Sequence, residues 1–276
     1  MPDFVPPSPA TLSRHLTLQR KYFNPSFIGL DALDLTRPAL FVGNHTLYGI
    51  MDAPLMLEAI YAKHGVLLRS LGDRGHFLVP LWRELLVNNG MVLGTPENCD
   101  ALMESGQSIL VFPGGAREVM KRHDEKYRLV WKKRVGFVRM AIKHGYDIIP
   151  FASLGPDDCY DILIDAEDVR SSKVGKKILD VTGLSKRSRD GDVIPPLSRG
   201  LGLTWLPRPQ RFYFSFGERI QTVGLDMDND AVLWEKREEV AASINAQLDM
   251  LKHHRIDDRA NNWSWLRHKL AGKIET

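Results

Sequence analysis

Short apolar runs alternate with amphipathic segments along most of this sequence, and this alternation is the feature that most restricts its fold. The runs are almost uniformly apolar, as expected of strands that are covered on both faces of a sheet, and the segments between them have helical spacing. The predicted strands are Ala39–Val42, Val66–Leu68, Met91–Leu93, Ile109–Phe112, Ile148–Phe151 and, later, Arg211–Phe216. We therefore predict an α/β fold with a mostly parallel central sheet flanked by helices.

The segments between the runs predict the helices and two of their ends. Thr95 stands where an N-cap is expected, and Gly145 stands where a C-cap is expected. The predicted helices are Thr11–Tyr22, Ala53–Lys63, Leu78–Asn88, Glu97–Glu104, Val135–His144 and Val232–Lys252. Helices between strands are the crossovers that parallel strands require.

Chain length favours a single large domain, because 276 residues are many for one domain but few for two. We expect the domain to cover residues 37–252. Residues 1–36 are expected to form an N-terminal tail and helix that can face a membrane, and residues 253–276 to form a basic, aromatic C-terminal segment.

Composition narrows the class of protein. Hydrophobic residues make up 43% and charged residues 26%, which is ordinary for a globular protein. The net charge of +3 is too small to indicate a nucleic-acid binder but suits an anionic membrane surface.

The cysteines and the absence of targeting patterns bear on location. Cys99 and Cys159 form no C-x-x-C pair and favour a reducing compartment. The sequence shows neither a signal-peptide pattern nor the roughly 18 consecutive apolar residues of a membrane span. We expect a cytoplasmic protein that is peripheral on the cytoplasmic face of a membrane.

Three predicted strands lead into polar or turn-forming residues, and such strand ends are where open α/β sheets bind ligands. Asn44 and His45 follow one strand, residues 113–118 follow another, and Pro150 lies in the third cluster. If the strands before His45 and Arg117 are neighbours, these two side chains meet at one edge of the sheet.

His45 is the candidate general base. It follows an apolar strand, and its side chain can carry a proton near neutral pH. As a base it could take the proton of an alcohol while the alcohol oxygen attacks a thioester carbonyl, a role worth about 10²–10⁴ in rate. The alternative is a packing or capping histidine in a tight turn.

The sequence Pro-Gly-Gly-Ala-Arg-Glu at 113–118 is the candidate anion site. Gly114 and Gly115 permit φ > 0 and present backbone N–H groups, and Ala116 completes their turn. Arg117 adds a planar guanidinium suited to a phosphate or to the carboxylate of Glu118. The alternative is a simple strand-to-helix turn.

These motifs, taken in order, resemble those of the glycerolipid acyltransferase superfamily (the lysophospholipid acyltransferase-like proteins). The resemblance is closest to the diacylglycerol-acyltransferase-like branch, which includes the plant phytyl ester synthases. It is carried by GNH at 43–45, FPGGAREV at 112–119, IIPF at 148–151 and IPPLSRGLGLTWLPRPQRFYFSFGERI at 194–220, and it extends from about residue 37 to 250.

The resemblance implies an O-acyltransferase that moves a fatty acyl group from acyl-CoA or acyl carrier protein directly onto a lipid hydroxyl, with no metal or organic cofactor. His45 matches the catalytic histidine of the family, and Pro150 matches the block that shapes the acceptor site. The expected substrate-binding residues are Asn44, Gly114, Gly115, Ala116, Arg117, Glu118 and Pro150.

One position departs from the superfamily pattern. The pattern places an aspartate five residues after the histidine, where this chain has Ile50, and the nearest carboxylate is Asp52. Asp52 is our candidate for the second catalytic residue, which orients His45. Asp-Ala-Pro at 52–54 is also a good helix start with an N-cap aspartate, and Glu118 or a backbone carbonyl could orient the histidine instead.

The acceptor block also differs, reading Gly-Gly-Ala-Arg where phosphate-acceptor enzymes of the superfamily read Glu-Gly-Thr-Arg. A neutral acceptor such as diacylglycerol or a long-chain alcohol is therefore expected, with lysophosphatidic acid or glycerol phosphate as the alternative. A catalytically silent lipid-binding scaffold is a further alternative. The missing aspartate supports it, whereas retention of His45 and residues 114–118 opposes it.

Overall fold

The computed structural model describes residues 4–173, 175–177 and 194–258. Seven strands form one sheet in the order β1-β9-β6-β2-β5-β3-β4, and β7 and β8 form a separate antiparallel pair. The strands are β1 Ser26–Ile28, β2 Ala39–Gly43, β3 Arg69–Gly72, β4 Val92–Leu93, β5 Ile109–Val111, β6 Asp147–Leu154, β7 Asp161–Ile164, β8 Leu197–Arg199 and β9 Tyr213–Phe216. Neighbours in the large sheet run parallel except β6 and β9. The predicted fold class, a mostly parallel sheet flanked by helices, is confirmed.

Helices cover both faces of this sheet. They are α1 Pro9–His15, α2 Thr17–Phe23, α3 Ala53–His64, α4 Pro80–Asn88, α5 Pro96–Glu104, α6 Gly115–Val119, α7 Gly136–His144, α8 Ala166–Ser171 and α9 Asp230–Asp257, with 3-10 turns at Arg74–Phe77 and Pro156–Cys159. The predicted caps hold, because the Thr95 hydroxyl accepts from the Asn98 N–H and Gly145 has φ +64°. None of the helices in these ranges is both long and apolar enough to cross a bilayer.

Alternate residues of the central strands enter two separate cores. In β2, Leu40 and Val42 pack with residues of α5, α7 and α9, whereas Phe41 packs with residues of α3 on the other face. Because a strand's side chains alternate between faces, burial on both sides explains why β2 is apolar throughout. Its five residues are all buried.

The structure places some elements differently from the sequence prediction. The predicted strand Val66–Leu68 is instead Arg69–Gly72, which begins with a charged residue. The Arg69 aliphatic stem and guanidinium fit the interior because Nε donates to the Gly90 carbonyl at 2.9 Å and the guanidinium lies over the Phe4 ring. A search for apolar runs cannot find such a strand.

The terminal segments also differ from the expected division. β1 lies within residues 1–36 yet pairs with β9 in the main sheet, so the folded unit begins before residue 37. The predicted helix Thr11–Tyr22 is two helices that meet at Leu16. α9 continues to Asp257, and most of the predicted segment 253–276 lies outside the described residues.

Candidate active site

The candidate site lies at the carboxyl edge of two neighbouring strands. β2 and β5 are parallel partners, with Val42 opposite Val111, so His45 and residues 113–118 emerge at the same edge, as the sequence suggested. Gly43 ends β2 beneath the Phe151 ring, and a Cβ at this glycine would lie 2.3 Å from a ring carbon. A side chain at position 43 would clash with Phe151, so the glycine of the Gly-Asn-His motif is required by the space available.

Asn44 fixes the first residue of the loop that carries His45, here called the histidine loop (residues 44–49). Its Nδ2 donates to the Ser153 carbonyl at 3.0 Å, and its Oδ1 accepts from the Ser153 N–H at 2.8 Å. Sequence analysis placed Asn44 among the substrate-binding residues, but here its fully buried amide is occupied by the β6 backbone. Asn44 thus extends the pairing of β2 and β6 past the end of β2.

Two carboxylates and one carbonyl hold the rest of the histidine loop. Glu118 Oε1 accepts from the His45 backbone N–H at 3.1 Å, and Asp157 Oδ1 accepts from the Leu47 N–H at 2.6 Å. The Tyr48 N–H donates to the Val119 carbonyl at 3.2 Å. Backbone groups along the loop are therefore bonded to two other segments of the chain, residues 118–119 and Asp157.

The His45 ring is half-buried and packed on two sides. It stacks on the Phe112 ring, with centroids 3.9 Å apart and planes within 7°. Gly49, at φ +61°, lies against the ring edge, where a Cβ would be 2.2 Å from Cε1. Nδ1 is buried, and no described residue forms a hydrogen bond with it.

This environment keeps the imidazole neutral. Burial lowers the pKa of His45 to about 3, with smaller contributions from the charges of Lys121 and His76. A neutral imidazole at physiological pH is the form that a general base requires. Burial raises the pKa of Glu118 to about 7, against the opposing effects of Lys121 and of the His45 N–H.

The two glycines of the Pro-Gly-Gly turn have different roles. Gly115 adopts φ +51°, as expected, and its N–H donates to the Phe112 carbonyl at 3.0 Å. Gly114 has an ordinary helical φ of −69°. A Cβ at Gly114 would lie 1.7 Å from Glu118 Oε2. Gly114 therefore makes room for the carboxylate that holds the histidine loop, and Ala116 follows in the first turn of α6.

Arg117 is buried, and its guanidinium pairs with Glu125. Its two terminal nitrogens donate to the carboxylate of Glu125, with Nη1 at 2.9 Å from Oε2, and Nη1 also donates to the Met120 carbonyl. Sequence analysis paired it with a phosphate or with Glu118. The expected pairing with Glu118 is wrong for a geometric reason, because Glu118 is turned toward the His45 N–H while Arg117 points to Glu125. Binding of a phosphate by Arg117 stays a prediction.

Asp52 is buried next to the histidine loop but does not bond to the imidazole. Its Oδ1 accepts from the Thr46 hydroxyl at 2.9 Å, and its side chain makes no capping bond to α3. Burial raises the pKa of Asp52. Ile50, at the position of the superfamily aspartate, is 47% exposed. An orienting role for Asp52 stays a prediction.

Pro150 lies inside β6, opposite Val42, and not at the strand's end. It is buried, and its carbonyl accepts from the Gly217 N–H at 2.8 Å and from Gln247 Nε2 at 3.2 Å. These contacts position β6 behind the histidine loop. A part in shaping the acceptor site stays a prediction.

Sequence reasoning did not single out three residues of the site. Gly49 lies in the histidine loop, Asp157 accepts from the Leu47 N–H, and Lys121 Nζ lies 3.5 Å from Asp157. Asp157 belongs to the Gly-Pro-Asp-Asp sequence at 155–158, inside the stretch on which the family resemblance rests, and that was the available signal. Nothing in the spacing of Lys121 distinguishes it from the solvated lysines around it.

One cluster of possible metal ligands occurs in the described residues, and it is explained by capping. One ligand atom each of His123, Asp165 and Asp168 lies within 4.8 Å of the others. Asp165 and Asp168 form the capping box of α8, and His123 Nε2 lies 2.9 Å from Asp168 Oδ2. These bonds account for the cluster without an ion.

A sequence profile and individual sequence relatives of this chain point to one family of proteins. The sequence profile described as "Diacylglycerol acyltransferase" matches residues 56–209. Phytyl ester synthase 2, chloroplastic, from Arabidopsis thaliana is 30% identical over 83% of this chain and 34% of its own length. Diacylglycerol O-acyltransferase 2 from Dictyostelium discoideum is 25% identical over 72% of this chain and 59% of its own length. This chain thus spans about a third of the plant protein and somewhat over half of the second relative.

Comparison with solved structures supports the fold. The 1-acyl-sn-glycerophosphate acyltransferase PlsC from Thermotoga maritima superposes with a TM-score of 0.54, covering 87% of this chain and 79% of that one. The sequence identity is 16%. At this identity the likeness concerns the arrangement of helices and strands.

Proposed function

This chain belongs to the diacylglycerol acyltransferase family, and from that premise we propose that it transfers a fatty acyl group from a thioester donor to a lipid hydroxyl. The donor is acyl-CoA or acyl carrier protein, and the transfer is direct, without a covalent enzyme intermediate. The residues described above supply a base and backbone donors, so the proposal assigns no step to a metal or organic cofactor.

The proposed chemistry begins at His45. Nδ1 is buried, so Nε2 is the nitrogen that an acceptor hydroxyl can approach. Nε2 takes the hydroxyl proton while the oxygen attacks the thioester carbonyl carbon, and the carbonyl π electrons move onto its oxygen. When the intermediate collapses, the carbon–sulfur bond breaks and the imidazolium returns the proton to the departing thiolate.

Backbone N–H groups of the Pro-Gly-Gly turn are the proposed donors to the oxyanion. The Gly115 N–H already donates to the Phe112 carbonyl, so the assignment falls on Gly114 and Ala116. A donor fixed in advance at this position is worth about 10²–10³ in turnover.

The observation that carries the proposal is the position of His45. Its imidazole lies at the carboxyl edge of the sheet, on a loop whose backbone is held by Glu118 and Asp157. A histidine that only packed or capped would need neither the space left by Gly114 for Glu118 nor the close approach of Gly49.

The pairing of Arg117 supports a neutral acceptor. In the phosphate-acceptor reading this guanidinium would bind the acceptor's phosphate, but here it is buried and bonded to both oxygens of Glu125. Binding a phosphate there would first require breaking a buried, charge-assisted pair, which is costly. We therefore propose diacylglycerol or a long-chain alcohol as acceptor, and lysophosphatidic acid as the alternative.

A lipid acceptor must reach His45 from a membrane, and we propose that the segment 74–88 contacts the lipid. His76 in this segment is close enough for its charge to affect His45. Helix α4 has no buried residue although it carries Leu81, Trp82 and Leu85, and Leu81 is 82% exposed. Apolar and tryptophan side chains of this kind bind the interfacial layer of a bilayer.

The cysteines support a reducing compartment. Cys99 and Cys159 are both free and buried, as is usual for proteins that are not stabilised by disulfides. We accordingly propose a peripheral protein on the cytoplasmic face of a membrane.

Thiol release from palmitoyl-CoA tests the proposed function, with a panel of acceptors in detergent micelles and His45→Ala as the control. Release that requires diacylglycerol or a fatty alcohol, and falls by about 10²–10⁴ in the variant, is the expected result. Release only with lysophosphatidic acid or glycerol phosphate would replace the neutral acceptor. If every acceptor and donor length gave the same rate in both proteins while lipid binding persisted, the protein would be a scaffold.

A further inference from the structure

A buried lysine lies next to the candidate site, and no step of the proposed reaction uses it. The Lys121 side chain has no exposed surface, and its Nζ lies 3.5 Å from Oδ2 of Asp157, which is also fully buried. No described residue forms a hydrogen bond with Nζ. Because removing an ammonium from water is energetically unfavourable, its presence in the interior calls for a physical reason.

Asp157 fixes this lysine relative to the histidine loop. Its Oδ1 accepts from the Leu47 N–H at 2.6 Å, two residues after His45. Its Oδ2 accepts from the Tyr127 N–H at 2.8 Å and faces Lys121. One buried carboxylate therefore joins the histidine loop, the segment after α6 and the lysine.

The charge of Lys121 reaches both members of the His45–Glu118 pair. After burial, it is the next contribution that lowers the pKa of His45. Burial raises the pKa of Glu118, and Lys121 is the largest opposing contribution. The other titratable groups that act on the pair are His76, on His45, and Asp157, on Glu118.

The nearby carboxyl of Asp52 is engaged by the Thr46 hydroxyl. Asp52 is a carboxyl group and supplies no positive charge, and His76 is a cause of the pKa shift of His45 but is not among the main causes of that of Glu118. Among the groups acting on the pair, Lys121 is the one that favours both a neutral imidazole and an ionised carboxylate.

We propose that Lys121 is a positioning residue of the acyl-transfer site, whose ammonium, fixed beside Asp157, favours the ionised form of Glu118 and disfavours protonation of the His45 imidazole. An ionised Glu118 accepts the His45 N–H more strongly than a protonated one does, so the same charge also keeps the loop in place. The consequence for turnover rests on the proposed function, whereas the effect on protonation does not.

Lys121→Met removes the charge while retaining most of the volume. Asp157 keeps its two backbone donors, Leu47 and Tyr127, so it is not left without partners and the variant is expected to fold. Lys121→Gln, which offers Asp157 an amide donor, serves as a second variant. Lys126→Met is the matched control, because Lys126 Nζ also lies 3.5 Å from a carboxylate, that of Asp158, but is 31% exposed.

The direct measurement is an NMR titration of the His45 imidazole, assigned by comparison with His45→Gln, in all three lysine variants. Without the Lys121 charge the imidazolium becomes easier to form, so the midpoint rises from about 3 by about one pH unit, while Lys126→Met leaves it unchanged. The acidic limb of the kcat/KM profile moves to higher pH in the same variants, because protonated His45 is inactive and Glu118 also protonates more easily.

An unchanged midpoint in folded Lys121→Met and Lys121→Gln would overturn the proposal and leave Lys121 a structural role alone. An equal rise in Lys126→Met would also overturn it, since the effect would then be that of overall charge. The titration needs no turnover, so a failure of the proposed function, seen as absent thiol release in the wild-type protein, remains distinguishable.

Discussion

Two regions of this molecule that bear on His45 differ in how firmly their residues are held by the rest of the protein. The histidine loop is held by the Ser153 backbone, by Glu118 and by Asp157. The segment 74–88 carries large apolar side chains, and its helix α4 buries none of them. The contrast separates two requirements of acyl transfer to a lipid.

The chemical step requires fixed geometry, since a displacement of about 1 Å can reduce the rate about 10²-fold. Contact with a lipid surface requires exposed apolar area, and its strength scales with the area buried in the bilayer. We expect substitutions in the histidine loop to change turnover, and substitutions in the segment 74–88 to change lipid association.

Gly49→Ala tests the fixed side of the comparison and has the largest expected effect. The added Cβ would lie 2.2 Å from His45 Cε1, so the imidazole or the loop must move. We expect kcat to fall by about 10²-fold. Gly65→Ala is the control, because Gly65 has a similar φ of +71° but nothing within 4 Å of the added atom.

The two glycine variants share the cost of a left-handed alanine, about 1 kcal/mol, so their difference isolates the contact with His45. Equal stability losses and equal kcat values in steady-state assays would contradict a fixed histidine loop.

Asn44→Ala tests how the loop is held. It leaves the Ser153 N–H and carbonyl without their buried partners, so we expect a loss of about 2–3 kcal/mol in the free energy of unfolding. Thermal unfolding should then occur about 5–10 °C lower. The control is Asn89→Ala, since the Asn89 side chain donates to the Leu85 carbonyl on the exposed end of α4. Similar losses in both variants would remove the distinction between the two regions.

The strands and the edge that carries His45 could be predicted because their signals are local. Continuous apolarity marks β2 and β5, which are buried on both faces, and the turn residues after them mark the ligand edge. The short strand β1 contains only three residues and no long apolar run, and β3 begins at a buried arginine. Their place in the sheet depends on pairing with distant residues.

The pairing of charges could not be predicted for the same reason. Arg117 and Glu118 are adjacent in sequence, which suggests a pair, yet successive helical residues point in different directions. Glu118 bonds to a residue 73 positions earlier, and Arg117 bonds to one 8 positions later. Asp157 joins segments 110 and 30 positions away. Only the folded chain shows that Glu118 and Asp157 meet at the histidine loop.

Leu81→Glu tests the exposed side of the comparison and has the smallest expected effect. Leu81 lies on α4 with 82% of its surface exposed, so the folded protein should tolerate the change. Val223→Glu is the matched control, because Val223 is 67% exposed but lies near Gly145, where an added Cβ would be 3.8 Å from its side chain. Gly145 precedes β6, at the opposite edge of the sheet. In sedimentation with phosphatidylcholine vesicles, loss of one inserted leucine and gain of a charge should weaken binding by about tenfold. Turnover of a micellar acceptor should stay within about twofold of wild type, because none of the hydrogen bonds described for the histidine loop comes from α4.

Equal weakening of vesicle binding in Leu81→Glu and Val223→Glu would mean that general charge, and not the segment 74–88, governs lipid association. A loss of micellar turnover with unchanged vesicle binding would instead make α4 part of the catalytic geometry, and the division between the two regions would have to be given up.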